Sequence, residues 1–172
     1  MSMLDKIKGE MTSLEALIAK VPGYKGYKEK EQRREADKLL RDHIANRMRT
    51  VKTQLDALQT DLISAGKYDL LDEAGSAATQ IQTFIDRVRT APYGYGGLFD
   101  AARVKEDDLD RVYEFDSTLV SFADRIEAAI ARAREAVEGE DARSLVLMIR
   151  DLGREANATF DQRADVLRGT AE

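Results

Sequence analysis

Only two prolines interrupt this chain of 172 residues, and each opens a glycine–tyrosine segment. Proline lacks a backbone donor and clashes with the preceding turn, so helix runs on until a proline or glycine stops it. The first segment reads Pro22-Gly23-Tyr24-Lys25-Gly26-Tyr27, the second Pro92-Tyr93-Gly94-Tyr95-Gly96-Gly97. Four of the six tyrosines and five of the eleven glycines fall in these two stretches. Elsewhere apolar residues recur at steps of three and four between charged ones, the signature of amphipathic helix. The sequence therefore predicts an all-α protein with two special loops.

The stripes give the helices. Leu4, Ile7, Met11, Leu14, Ile18 and Val21 mark a first helix over about 3–20, which Pro22-Gly23 stops. Leu40, Ile44, Met48, Val51, Leu55, Leu58 and Leu62 keep a heptad-like step through a second over about 28–64, with Gly66 placed to cap its end. A third over about 69–90 turns Leu71, Ala74, Ala78, Ile81, Ile85 and Val88 inward, and its Gly75-Ser76-Ala77-Ala78 patch suits close helix approach. A fourth starts near Lys105, with Glu106, Asp107 and Asp108 in the first turn, where the helix dipole favours negative charge. Its stripe is Leu109, Val112, Asp116, Leu119, Ala123, Ile126, Ile130, Ala133 and Val137, and Gly139 ends it. A fifth follows Asp141 through Leu145, Ile149, Leu152, Ala156 and Phe160 to about Leu167.

The connections at 65–68 and 138–141 are short, so the helices that they join are expected to be antiparallel neighbours. The expected architecture is an antiparallel up-down bundle of four long helices plus an N-terminal amphipathic helix. It forms one domain over 1–172, with 1–21 as the N-terminal helix and 28–167 as the bundle core. Counting directions puts both glycine–tyrosine loops at the same end. The second helix, at about 54 Å, overhangs the third, at about 33 Å, given 1.5 Å per residue. Its basic start, Lys28 to Lys38, forms that overhang, against which Leu98 and Phe99 are expected to fold back.

Composition excludes more than it names. No cysteine means no disulfide scaffold, thiolate-ligated metal or thiol nucleophile. The start carries charges every few residues and no stretch approaches 18 uninterrupted apolar residues, so neither signal peptide nor transmembrane span is expected. A cytoplasmic protein is the reading. The net charge of −5 argues against general nucleic-acid binding. A single histidine, His43, cannot supply the two Glu-x-x-His motifs of a di-iron bundle, and no nucleotide fingerprint or serine triad has its context. No metal, no cofactor and no enzymatic activity are expected.

Two features stand out as candidate site. Asp116 interrupts the apolar stripe of the fourth helix, and a carboxylate at such a position needs a partner; Arg33, Arg34 and Arg41 of the second helix lie at a comparable height. A buried ion pair that fixes helix register is the first reading, a small polar pocket beneath the loops the second. The loops themselves read as turn chemistry that covers the bundle end, or as a binding surface. Tyrosine supplies contact area at low entropic cost, and basic residues such as Lys25 flank it.

The segments PGYKGYKEKEQRREADKLLR, over Pro22–Arg41, and YGYGGLFDAARV, over Tyr93–Val104, resemble those of uncharacterised prokaryotic helical-bundle proteins. The resemblance covers both loops and the flanking helix starts. It implies a helical fold and brings no activity with it.

The function expected from sequence is a non-enzymatic interaction or scaffolding module. It would bind a protein partner through the glycine–tyrosine end, with Tyr24, Lys25, Tyr27, Arg34, Tyr93, Tyr95, Phe99 and Asp116 as candidate contacts. The alternative is a bundle that binds a small molecule or anion in a polar pocket near Asp116 and Arg34. The helix over 3–20 offers a face for a homo-oligomer.

Overall fold

The computed structural model describes residues 30–91 and 106–169, apart from the side chains at 30–37, 39, 106–114, 116 and 166–169. Four helices make up these segments. They are α1 (Lys30–Ser64), α2 (Leu71–Thr90), α3 (Glu106–Glu135) and α4 (Ala142–Gly169), with a single 3-10 turn at Tyr68–Leu70 leading into α2. No strand occurs among the described residues, and no helix there is long and apolar enough to cross a membrane. The predicted N-terminal helix over 3–20 lies outside the described residues.

The ends of the helices follow local chemistry. Gly66 adopts φ 70, the left-handed region where a Cβ is costly. That geometry lets Lys67 N–H reach the Leu62 carbonyl at 2.9 Å and Gly66 N–H reach Ile63 at 3.0 Å, the paired bonds of a Schellman cap. At the other short connection the expected helix to Gly139 stops earlier, at Glu135. There Gly139 N–H bonds to the Ala136 carbonyl at 2.8 Å, a turn in place of the last helical step.

The core is a single apolar cluster fed by all four helices. The stripes read from sequence supply most of it, from Ile44 through Leu62 in α1 and from Leu119 through Ala133 in α3. Two large aromatics join them, Phe84 at 0 % and Phe122 at 1 % exposure, both off the predicted stripes. Each helix packs against two neighbours, so its buried face is wider than one heptad seam, and adjacent positions such as Phe84 and Ile85 both turn inward. Phe84 meets Phe160 edge to face, with ring centroids 6.2 Å apart.

The principal contacts are α1 with α2, α3 with α4, α1 with α3, and α2 with α4. The helices thus stand at four corners, with α2 and α3 across a diagonal. Cross-links fix the relative direction of two pairs. Along α1 and α3, Arg47 meets Asp124, Gln54 meets Glu127, and Asp61 meets Arg134. Along α2 and α4, Asp69 meets Arg143, Glu73 meets Arg150, and Gln80 meets Asn157. Both sets rise together, so α1 runs parallel to α3, and α2 to α4.

A close approach between α2 and α4 occurs at Gly153, which borders the expected patch at Ala77 but does not involve Gly75. A Cβ on Gly153 would lie 2.9 Å from Gln80 Cβ, whereas Gly75 has nothing within 4 Å. The small residue that permits contact is therefore on α4, opposite the Ala77–Ile81 turn of α2.

Candidate functional site

The end of the bundle that holds the start of α1, at Lys30, and the end of α2, at Thr90, is the candidate site. Tyr24, Lys25, Tyr27, Tyr93, Tyr95 and Phe99 lie outside the described residues, as does the expected contact of Leu98 and Phe99 with the overhang. Arg34 falls within α1 and Asp116 within α3, and their side chains likewise lie outside the described residues.

Helix lengths make this end uneven. α1 has 35 residues and α2 has 20. Arg41 gives the level at which α2 stops. Its Nη1 donates to the carbonyls of Val88 at 3.3 Å and Ala91 at 3.0 Å. Carbonyls at a helix C-terminus lack intrahelical donors, so a guanidinium there satisfies them and offsets the negative end of the dipole. Arg41 is 7 % exposed. Lys30 to Arg41 spans eleven residues, so α1 continues for about 16 Å past that level. The stagger that the sequence predicts is present, and a buried arginine holds its inner edge.

A second polar cluster lies between α1 and α3. Arg47 Nη2 donates to Asp124 Oδ1 at 2.5 Å and to Glu127 Oε2 at 3.2 Å. Gln54 Nε2 donates to the other oxygen of Glu127 at 2.8 Å. Burial works against the Arg47 charge, and its bonds to Asp124 and Glu127 outweigh that, so its pKa rises. His43 is one turn nearer the candidate end and partly buried. Burial, then the Arg47 charge, push its pKa below the usual 6.5, against a smaller opposing pull from Asp124. It is therefore neutral at pH 7.

A third cluster joins α2 to α4. Asn157 is 8 % exposed, and its Nδ2 donates to the carbonyls of Gln80 at 2.9 Å and Gly153 at 3.0 Å. Arg87 Nη1 donates to the Asn157 carbonyl and Oδ1, both at 3.2 Å. Its other nitrogen pairs with Asp161, and its guanidinium sits 5.2 Å from the centre of the Phe160 ring. Two turns beyond Asn157, Arg163 is 3 % exposed.

These groups bind one another and tie helices together. Among the described residues, no three His, Asp or Glu side chains stand close enough to hold a metal ion. The chemistry on show is guanidinium recognition of carboxylates and carbonyls. Sequence reasoning named Arg41 only as a partner for Asp116 and missed Arg163 altogether. A signal for Arg163 existed. Three residues beyond Phe160 continue the stripe Leu145, Ile149, Leu152, Ala156, Phe160, so the position is a core position occupied by arginine.

Comparison with known proteins adds no relative: no family model, no curated protein and no solved structure matches this chain.

Proposed function

We propose that this chain is a non-enzymatic interaction module that takes a protein partner at its staggered, glycine–tyrosine end. The observation that carries the reading is the unequal length of the helices there. α2 ends at the level of Arg41, while α1 continues about 16 Å further. Among the described residues, one corner of the bundle is thus left without a helix at this level. Loops on a rigid scaffold are common carriers of binding function.

In this reading the four helices form two antiparallel hairpins laid side by side. Supporting it are the short connections at 65–70 and 136–141, together with the Arg41 bonds that join the early part of α1 to the late part of α2. The helix over 3–20 packs on the bundle or on a second copy, and the module is cytoplasmic. Tyr24, Lys25, Tyr27, Arg34, Tyr93, Tyr95 and Phe99 are the contacts.

The test is alanine at Tyr24, Tyr27, Tyr93 and Tyr95 together, read by affinity capture from the native cell and by melting temperature. Loss of captured partners with an unchanged melt is the expected result. Retained partners with a lowered melt would make the loops structural covers and remove the proposed surface.

A second reading is a bundle that binds a small anion near Arg34 and Asp116. Two buried arginines toward that end, Arg41 and Arg163, favour it. It predicts that inorganic phosphate or acetate raises the melting temperature of the native chain above that in matched chloride. The Arg163→Met variant should lose that shift.

A further inference from the structure

One rule governs every hydrogen bond described between the first helix pair, α1 with α2, and the second, α3 with α4: the partners are 70 to 80 positions apart. The middle of that range, a step of about 75, also maps one core onto the other. Ile44, Val51, Leu55 and Leu58 go to Leu119, Ile126, Ile130 and Ala133, all buried. Leu70, Ala74, Ala77, Ile81 and Ile85 go to Leu145, Ile149, Leu152, Ala156 and Phe160, again all buried. Level positions of the two helix pairs therefore share layers of one core.

The same step carried one layer outward reaches charge. Arg41 and Val88 are level by their direct bond at 3.3 Å. Arg41 maps to Asp116 and Val88 maps to Arg163. The four positions of this layer are thus Arg41 on α1, Val88 on α2, Asp116 on α3 and Arg163 on α4. Both arginines are less than a tenth exposed. A buried guanidinium is tolerated where a carboxylate or carbonyl shares its burial, and position 116 brings a carboxylate to this level.

We propose that Arg41, Asp116 and Arg163 form one charged layer that closes the apolar core and fixes the register in which the two helix pairs meet. The physical need is plain. Below this layer the stripes are apolar, and a slide of one helix pair by seven residues would superpose apolar positions on apolar positions again, at the cost of the Arg47 and Asn157 cross-links. A slide of that size carries Asp116 out of the layer of Arg41 and Val88, to the level of an apolar layer or beyond the core. Such a slide would take the carboxylate position away from the level of two buried arginines, a cost added to the apolar area that it uncovers at the ends. Polar groups in a core are best attested in this role. The layer is complete without a bound anion, which separates it from the anion-binding reading above.

The chain has no cysteine, so labels placed at will report register without background. Thr53 and Ala128 are exposed and 75 positions apart on α1 and α3, and Thr53→Cys with Ala128→Cys carries a spin-label pair. In the otherwise native chain one narrow distance peak is expected. Asp116→Asn should lower the melting temperature by about 10 °C, and Asp116→Leu with Arg163→Leu should recover most of that loss. The recovered variant should broaden or split the distance peak. An Asp116→Asn melt within about 1 °C of native, or a single unchanged peak in the leucine pair, overturns the proposal. If Asp116→Asn does not fold, the exchange Asp116→Arg with Arg163→Asp decides: a folded chain with the native peak supports the layer, an unfolded one removes it.

Discussion

The two ends of this bundle are built from different materials. At the end of the short connections, backbone geometry closes the structure. Gly66 reverses the chain at φ 70, and the ion pairs Asp61–Arg134 and Asp69–Arg143 lie on the surface around it. At the opposite end α2 simply stops, and a buried guanidinium serves its last carbonyls. At the first end main-chain bonds serve the last carbonyls of α1, from Lys67 N–H to Leu62 and from Gly66 N–H to Ile63, without a buried charge. The second end uses one, because α1 runs on past α2 and leaves a helix terminus against the core. Side chains at such a junction carry consequences for stability that the exposed pairs do not.

Four substitutions and one titration sharpen that contrast, from the largest effect to the smallest. Phe84→Ala removes a fully buried ring that meets Phe160 beneath the staggered end. It should cost about 3–5 kcal/mol in chemical denaturation. Arg41→Met keeps the stem and deletes the donor to Val88 and Ala91. A loss of about 2 kcal/mol is expected, with hydrogen exchange accelerated first at the end of α2. If that exchange stays native, Arg41 does not cap the helix. Gly66→Ala forces a Cβ into the left-handed region and should cost about 1 kcal/mol at the closed end.

The titration concerns His43. Its folded pKa lies below 6.5, so as pH falls through 6.5 the unfolded chain takes up a proton that the folded chain still refuses. Stability should therefore decline from pH 7 downward and level off once pH passes the folded value. His43→Gln should remove that part of the slope, and an identical slope in the variant would show that other groups produce it. Arg143→Ala, which breaks an exposed pair with Asp69, should shift stability by no more than about 0.5 kcal/mol. A loss comparable to that of Arg41→Met would erase the distinction between the two ends.

Much of the bundle is written in its stripes. Leu40 through Leu62 and Leu145 through Phe160 recur at steps that only a helix turns to one side, and each of those positions is buried. Gly66 announces the end of α1 because few other residues tolerate its conformation. The stripe failed for Phe84 and Phe122, since width of the buried face depends on how many neighbours a helix has. It failed for Gly75 too: a small residue permits close approach, but only the facing helix decides where approach occurs, and that place is Gly153. Asp116 was conspicuous in sequence, whereas Arg163 was not. An arginine at a stripe position is easily read as the stripe's end until burial shows that the core includes it.

By itself, the sequence determined the four helices of the described residues to within a few residues at their ends, and with them the unequal lengths of α1 and α2, because periodicity and punctuation are local properties. Only the tertiary structure decided how the two helix pairs sit against each other, α1 beside α3 and α2 beside α4. The four apolar stripes are alike, so they do not distinguish a partner beside a helix from one across the diagonal. The long-range pairs, 70 to 80 residues apart, make that choice: Arg47 with Asp124 and Glu127, Asp61 with Arg134, Arg150 with Glu73, Asn157 with Gln80. Charge and hydrogen bonding are specific where hydrophobic burial is not.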